Sequence, residues 1–231
     1  MDAIVMAAGE GTRLRPLTER WPKPVLPIDG RPVIATLLRE LAAAGCLHAV
    51  VVTGHLAEQV EELLGDGSPY GVAVRYARQP GVLGSADAVR RGIDAGAAAP
   101  LLVTAADTVF APGDVGRFVS SFAASGADGA IAVRRQPRDQ ERQPVRIVDG
   151  RVVRLIDDDA SNPLSAAPLW AFGPTLVPFL SGLSGPPFEF AGAFRGAIEA
   201  GLHVAAVEIQ PTRDLTHPID LVEENFPYLE R

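Results

Sequence analysis

The sequence predicts an α/β protein: a Rossmann-like, mainly parallel sheet with helices on both faces and a small inserted antiparallel lobe. Three observations carry that expectation. Strand-like apolar runs alternate with helix-period patterns through the first 133 residues, the rhythm of repeated βαβ units. The first run leads straight into a loop containing Gly9 and Gly11. After residue 133 the rhythm changes, and residues 145–148 and 152–156 flank Asp149-Gly150, a two-residue hairpin signal.

In chain order, residues 4–6 read as the first strand. Ile34, Leu37, Leu38 and Leu41 recur at i, i+3, i+4 and i+7, one face of a helix that ends at Gly45. Residues 49–53 are a β-branched strand. Leu56, Val60, Leu63 and Leu64 mark a second helix, closed by Gly65-Asp66-Gly67. Residues 72–76 form a third strand, and Ala86, Val89 and Ile93 lie on a third helix. Residues 100–105 give a fourth strand that ends at Asp107. Phe118, Val119 and Phe122 then indicate a helix before the strand 130–133. Beyond it, residues 134–144 read as an exposed polar loop and 157–163 as an acidic turn. A strand at 167–172, a helix at 190–200, a strand at 204–209 and a helix at 218–226 complete the chain. No repeat or linker divides it, so one domain over 1–231 is expected, with halves at about 1–133 and 134–231.

Hydrophobic residues make up 47% and charged residues 21% of 231, enough for a core without disulfide or metal staples. Cys46 is the only cysteine, which excludes an internal disulfide and reads as a small core residue. No apolar run reaches membrane-spanning length, and the N-terminus lacks a signal-peptide pattern, so the cytoplasm is the expected address and no membrane partner is expected. A net charge of −7 argues against a nucleic-acid partner. Positive charge is nevertheless gathered locally, at Arg13, Arg15, Arg20, Lys23 and Arg31.

The chemistry concentrates between residues 7 and 24. A glycine loop directly after a strand lets backbone N–H groups approach a phosphate chain. Arg13 adds a planar donor fork, and Lys23 a compact charge held between Pro22 and Pro24. Lys23 is the only lysine; the other 20 of the 21 basic residues are arginines. Such a bias favours a point-charge role at this position. The Gly-Lys-Ser/Thr of a P-loop is absent, and Leu14 stands where the dinucleotide fingerprint needs its third glycine, although Asp29 lies at a suitable distance for a ribose contact.

The order Gly9-Glu10-Gly11-Thr12-Arg13, Pro16-Leu17-Thr18, Pro22-Lys23-Pro24 resembles the signature of the sugar-1-phosphate nucleotidyltransferases, also called nucleoside-diphosphate-sugar pyrophosphorylases. Gln79-Pro80 followed by Leu83-Gly84-Ser85-Ala86-Asp87-Ala88 is similar to that family's base-recognition segment. Ala106-Asp107 and Asp214 resemble its two metal aspartates. The resemblance implies an enzyme that joins a nucleoside monophosphate from a nucleoside triphosphate, UTP or dTTP, to a phosphorylated small-molecule acceptor. It implies nucleotide binding by Ala8, Gly9, Gly11, Thr12, Arg13, Gln79 and Gly84, catalysis by Arg13 and Lys23, and Mg2+ on Asp107 and Asp214. A monomer or homodimer is expected. Read without the resemblance, Asp107 could equally cap the following helix.

The pattern departs from the family in the second half. Sugar-specific members carry Glu-Lys-Pro after the hairpin, whereas this chain reads Ile156-Asp157-Asp158-Asp159. Asp157 stands in the glutamate's place, and only Arg151 or Arg154 is near enough in sequence to replace the lysine. The aspartates are either a solvated turn or a wall for a cationic acceptor. Asp157, Trp170 and Glu189 are the candidate acceptor residues, Trp170 and Phe172 doubling as core at strand period. Two alternatives to the sugar acceptor stay open: a cytidylyltransferase acting on phosphocholine or another small phosphate, and a catalytically silent nucleotide- or sugar-sensing module.

Overall fold

The computed structural model describes residues 1–135, 144–156, 159 and 161–226. In chain order the strands are β1 (Asp2–Ala7), β2 (Pro27–Ile28), β3 (Arg31–Pro32), β4 (His48–Thr53), β5 (Ala73–Arg78), β6 (Leu101–Ala105) and β7 (Thr108–Val109). They continue with β8 (Gly129–Arg135), β9 (Val145–Val148), β10 (Arg151–Leu155), β11 (Leu164–Phe172), β12 (Val204–Glu208) and β13 (Arg213–Asp214). The helices are α1 (Val33–Ala43), α2 (Ala57–Leu64), α3 (Ser85–Asp94), α4 (Asp114–Ser125), α5 (Phe190–Glu199) and α6 (Asp220–Glu223).

Nine strands form one sheet in the order β5-β4-β1-β6-β11-β8-β12-β10-β9. Seven of them (β1, β4, β5, β6, β8, β9 and β12) run the same way, with β10 and β11 reversed. The antiparallel hairpin β9–β10 extends this sheet at its edge through β12, so one sheet runs through both halves of the chain.

Period-2 alternation builds two cores. Val5 faces a cluster containing Ile34, Leu37 and Leu41 of α1, Val60 of α2 and Phe118 of α4. Its neighbour Ile4 faces Ala86 and Val89 of α3 and Phe190 and Phe194 of α5. Burying both faces of a strand leaves no polar position in it, which is why these strands read as continuous apolar runs.

From β1 the chain steps outward through β4 to β5, then returns to place β6 on the other side of β1. The order therefore reverses between β1 and β6, and in open α/β sheets a crevice opens there at the carboxyl ends of the strands.

Two elements differ from the sequence reading. The helix expected over 218–226 is the four-residue α6, because Asp220 turns back to accept the Thr216 and His217 N–H groups (2.6 and 2.8 Å). At its other end Asn225 donates to both Leu221 O and Pro27 O, closing the turn. The strand expected over 167–172 starts at Leu164 and carries a register shift against β8 between Ala166 and Trp170, around Pro168. Proline cannot donate to a ladder, so the bulge bends the strand there.

Candidate active site

The loop after β1 is braced from within. Gly11 has φ 61, and a Cβ there would meet Thr18 Cγ2 at 2.9 Å. The buried Thr18 hydroxyl donates to Gly11 O (2.9 Å), and His55 Nε2 lies 2.6 Å from Thr18 O. Gln59 Nε2 donates to Arg20 O (2.8 Å), so α2 and the turn before it hold the loop's far side. Leu14 is buried with Leu26, Ile28, Val33 and Leu215, anchoring the loop between Arg13 and Arg15.

A short 3-10 turn, Lys23–Val25, carries the lysine, with Pro22 extended before it (φ −65, ψ 143). Lys23 Nζ reaches 2.5 Å from Asp107 Oδ2. Asp107 stands just past β6, where the Ala106 N–H donates to Met6 O (3.0 Å) and ties that exit to β1. The helix-cap alternative for Asp107 fails, because the next helix begins at Asp114 with Gly113 as its cap. The β7–β13 ladder sets Asp214 opposite Thr108, beside Asp107 in sequence. Asp214 Oδ1 accepts from the Thr216 hydroxyl (2.8 Å). Asp107 and Asp214 both line one cavity, and among the described residues no group of three or more His, Cys, Asp or Glu could hold a metal.

Gln79, just after β5, is buried, and its Nε2 donates to Gly84 O (3.0 Å) and Asp87 Oδ2 (2.9 Å). Burial pushes the Asp87 carboxyl up, but hydrogen bonds from Arg91 and Gln79 and the charges of Arg91 and Arg90 outweigh it, and the group lies below its ordinary range. A carboxylate kept ionised accepts only, so it orients the amide nitrogen inward and leaves Oε1 for a ligand. The amide therefore presents an acceptor to the cavity, not a paired donor and acceptor.

Gly84 has φ 95, and a Cβ there would fall 2.4 Å from Phe188 N. That close approach lets Phe188 N donate to Leu83 O and Ala86 N to Phe188 O, both at 2.8 Å. Next to it, the Ser85 hydroxyl donates to Glu189 Oε2 (3.0 Å) and accepts from Phe190 N (2.8 Å). The start of α3 is thus stitched to the start of α5.

Two cavities open along this crevice. The first, about 390 Å³, is lined by Ala8, Gly9, Gly11, Thr12, Gln79 and Gly84. The second, about 360 Å³, is lined by Arg134, Ser165, Trp170, Glu189, Phe190 and Asp214. Met6, Arg13, Lys23, Ser85, Asp107 and Thr216 line both and form the wall they share. Trp170 is core and cavity floor at once: it is 6% exposed and packs edge-on against Phe190 and Phe194, at centroid distances of 5.5 and 4.8 Å.

Asp157 lies outside the described residues. Arg151 and Arg154 are exposed on β10, next to the edge strand β9, and line neither cavity. The cation that lines the second cavity but not the first is Arg134, near the end of β8, which sequence reasoning placed in an exposed loop. Thr216 was likewise not singled out, and Ser85 and Asp87 were marked only as part of the base-recognition segment, because the contacts that define their roles are not visible in sequence.

Residues 2–143 match the nucleotidyl transferase family. The chain is 28% identical over 238 residues to a low-salt glycan biosynthesis nucleotidyltransferase of Haloferax volcanii, a match covering all of this chain and 66% of that protein. It is 39% identical over 110 residues to an N-acetylmuramate alpha-1-phosphate uridylyltransferase of Neisseria meningitidis, covering 47% of this chain and 48% of that one. The chain thus spans just under two thirds of the one relative and about half of the other. A solved UDP-glucose pyrophosphorylase complexed with UDP-glucose shares the fold, with TM-score 0.83 at 20% identity over 99% of this chain and 98% of that one.

Proposed function

The chain belongs to the nucleotidyl transferase family, and from that premise we propose that it transfers a nucleoside monophosphate from UTP or dTTP to a sugar 1-phosphate, giving a nucleoside diphosphate sugar and pyrophosphate. The observation that carries this reading is the wall of Arg13, Lys23 and Asp107 common to two cavities, one built for phosphates and a base, the other polar with an aromatic floor. Two substrates seated on either side would meet at those three side chains.

An oxygen of the acceptor phosphate attacks the α-phosphorus. The bond from that phosphorus to the bridging oxygen breaks, and its electron pair leaves with pyrophosphate. A phosphate monoester is already anionic at neutral pH, so no general base is needed, and catalysis reduces to alignment and charge stabilisation. Backbone N–H groups from Gly9 to Thr12 cradle the triphosphate, Arg13 faces the departing pyrophosphate, and Lys23 sits between donor and acceptor phosphates. Gln79 Oε1, held outward by Asp87, accepts the N3–H of uracil or thymine.

Asp107 and Asp214 fit a magnesium ion in donor type: hard carboxylate oxygens from adjacent segments, too few to form a closed protein cage. Mg2+ takes one or two carboxylates together with substrate phosphates and water, and would neutralise developing phosphate charge.

Relatives named for sugar-phosphate acceptors favour a sugar over phosphocholine. The cytoplasm, where nucleoside triphosphates are made, is the proposed compartment; no helix among the described residues is long and apolar enough to cross a membrane. An acceptor screen monitored by pyrophosphate release tests the proposal. Release from UTP or dTTP with a sugar 1-phosphate is expected, and its absence across sugar 1-phosphates in the presence of Mg2+ would refute it.

A further inference from the structure

Arg134 is an anomaly in the fold. It is the penultimate residue of β8, after Gly129 to Val133, which are all buried, and its Nε is fully buried with no hydrogen-bond partner. Among the described residues no ion pair or hydrogen bond engages its guanidinium. Burial pushes its pKa down, opposed only by the charge of Asp214. A half-buried guanidinium whose Nε lacks a hydrogen bond, with only the charge of Asp214 to offset its desolvation, favours a partner from outside the chain.

Its surroundings say what that partner is. Arg134 is the register partner of Ser165 on β11, so the two side chains leave the sheet on the same face, and both line the second cavity. That cavity also holds Arg13 and Lys23 on its shared wall. Lys23 is ion-paired with Asp107, whereas Arg134 has no ion pair among the described residues and is offset only by the charge of Asp214. A planar donor fork of this kind matches a tetrahedral oxyanion, taking two of its oxygens at once.

Resting on the transfer reading, we propose that Arg134 is the acceptor-phosphate residue: its guanidinium binds the phosphate monoester of the acceptor in the second cavity, turning one oxygen toward the wall that carries Lys23. The substrate class it selects is a phosphomonoester whose organic part lies over Trp170 and within reach of Glu189. No lysine after the hairpin is then required.

The test is calorimetric titration of α-D-glucose 1-phosphate, and separately of inorganic phosphate, into UTP-saturated protein in excess chelator, where no turnover occurs. Wild type is compared with Arg134→Met, Arg134→Gln and Arg134→Lys. We expect the methionine and glutamine variants to bind either probe at least tenfold more weakly, with UTP affinity within about twofold of wild type and partial recovery in the lysine variant. Removing a half-buried charge that has no ion pair should also leave Arg134→Met with a melting temperature equal to or above that of wild type. If either neutral variant folds poorly, the lysine variant and wild type still decide the matter through probe affinity. Unchanged probe binding, an equal loss of UTP binding, or no binding of either probe by wild type would overturn the assignment. Loss of probe binding together with a wild type that releases no pyrophosphate would instead uphold the phosphate site and refute the transfer reading.

Discussion

Lys23 and Asp107 form an ion pair 2.5 Å long on the wall between the two cavities, joining a proline-bounded turn to the carboxyl end of β6. The pair links a cation suited to bridging phosphates with a carboxylate suited to magnesium. It also explains how the ammonium is held in place without substrate: Pro22 and Pro24 restrict the backbone, and Asp107 takes the end of the side chain.

Asp214→Asn should leave the fold intact and lower turnover by about a hundredfold, the scale typical of losing one electrostatic contact to a transition state. Asp107→Asn should do the same and in addition release Lys23. Excess chelator should abolish turnover of the wild type. Steady-state pyrophosphate release checks all three, and full activity in chelator would refute the metal assignment.

Base selection should depend on Asp87 as well as Gln79. Wild type should prefer UTP or dTTP to the purine triphosphates and to CTP. In Asp87→Ala the amide loses the acceptor that fixes its orientation, so either end can face the base. The kcat/KM ratio for UTP over CTP should then fall roughly tenfold, equivalent to about 1.4 kcal/mol. A ratio that does not move would show that Gln79 is oriented by Gly84 alone.

Much of this site is legible in sequence because it is local. Gly9 through Pro24 are contiguous, and each residue type there serves a loop that must admit phosphates. Asp107 is similarly marked by its place at a strand end. Arg134 is not legible: in sequence it is one of many arginines following an apolar run, and only its register with Ser165 across two strands puts it in a cavity. Asp87 is legible as part of the base-recognition segment, but its bond to Gln79, which orients the amide, is not. The fold was legible where burial on both faces makes apolar runs, and least so at Pro168, where the bulge hides the first part of β11.

Arg213 should act as a strut for Asp214. It donates to both oxygens of Asp29 (2.8 and 2.9 Å) and to Glu224 (2.5 Å), clamping the C-terminal segment to the β2–β3 turn. Arg213→Gln should speed hydrogen exchange over residues 213–226 and lower turnover, with the melting temperature nearly unchanged because the pairs are partly exposed.

The same clamp predicts an acid limit. The hydrogen bond from Arg213 holds the Asp29 carboxyl below its ordinary range. A depressed folded-state pKa contributes stability that is present above the unfolded value, about 3.9, and is lost as pH falls through the folded value. Protection over residues 213–226, measured against intrinsic exchange at each pH, should therefore fall below about pH 4 in wild type and show a weaker pH response in Asp29→Asn. Equal pH responses in the two would remove Asp29 from the clamp.

The central claim is that transfer occurs where the two cavities meet, with Lys23 acting by position and not by charge alone. It is tested most directly by the turnover number of Lys23→Arg, measured beside its UTP affinity. The guanidinium is longer and planar, so it keeps the charge but displaces the acceptor from in-line approach, and a misplacement of about 1 Å can cost roughly a hundredfold in rate. The prediction is a loss of turnover of about that size with UTP affinity changed only a few-fold, since the glycine loop and Arg13 remain. Wild-type turnover in Lys23→Arg would contradict it.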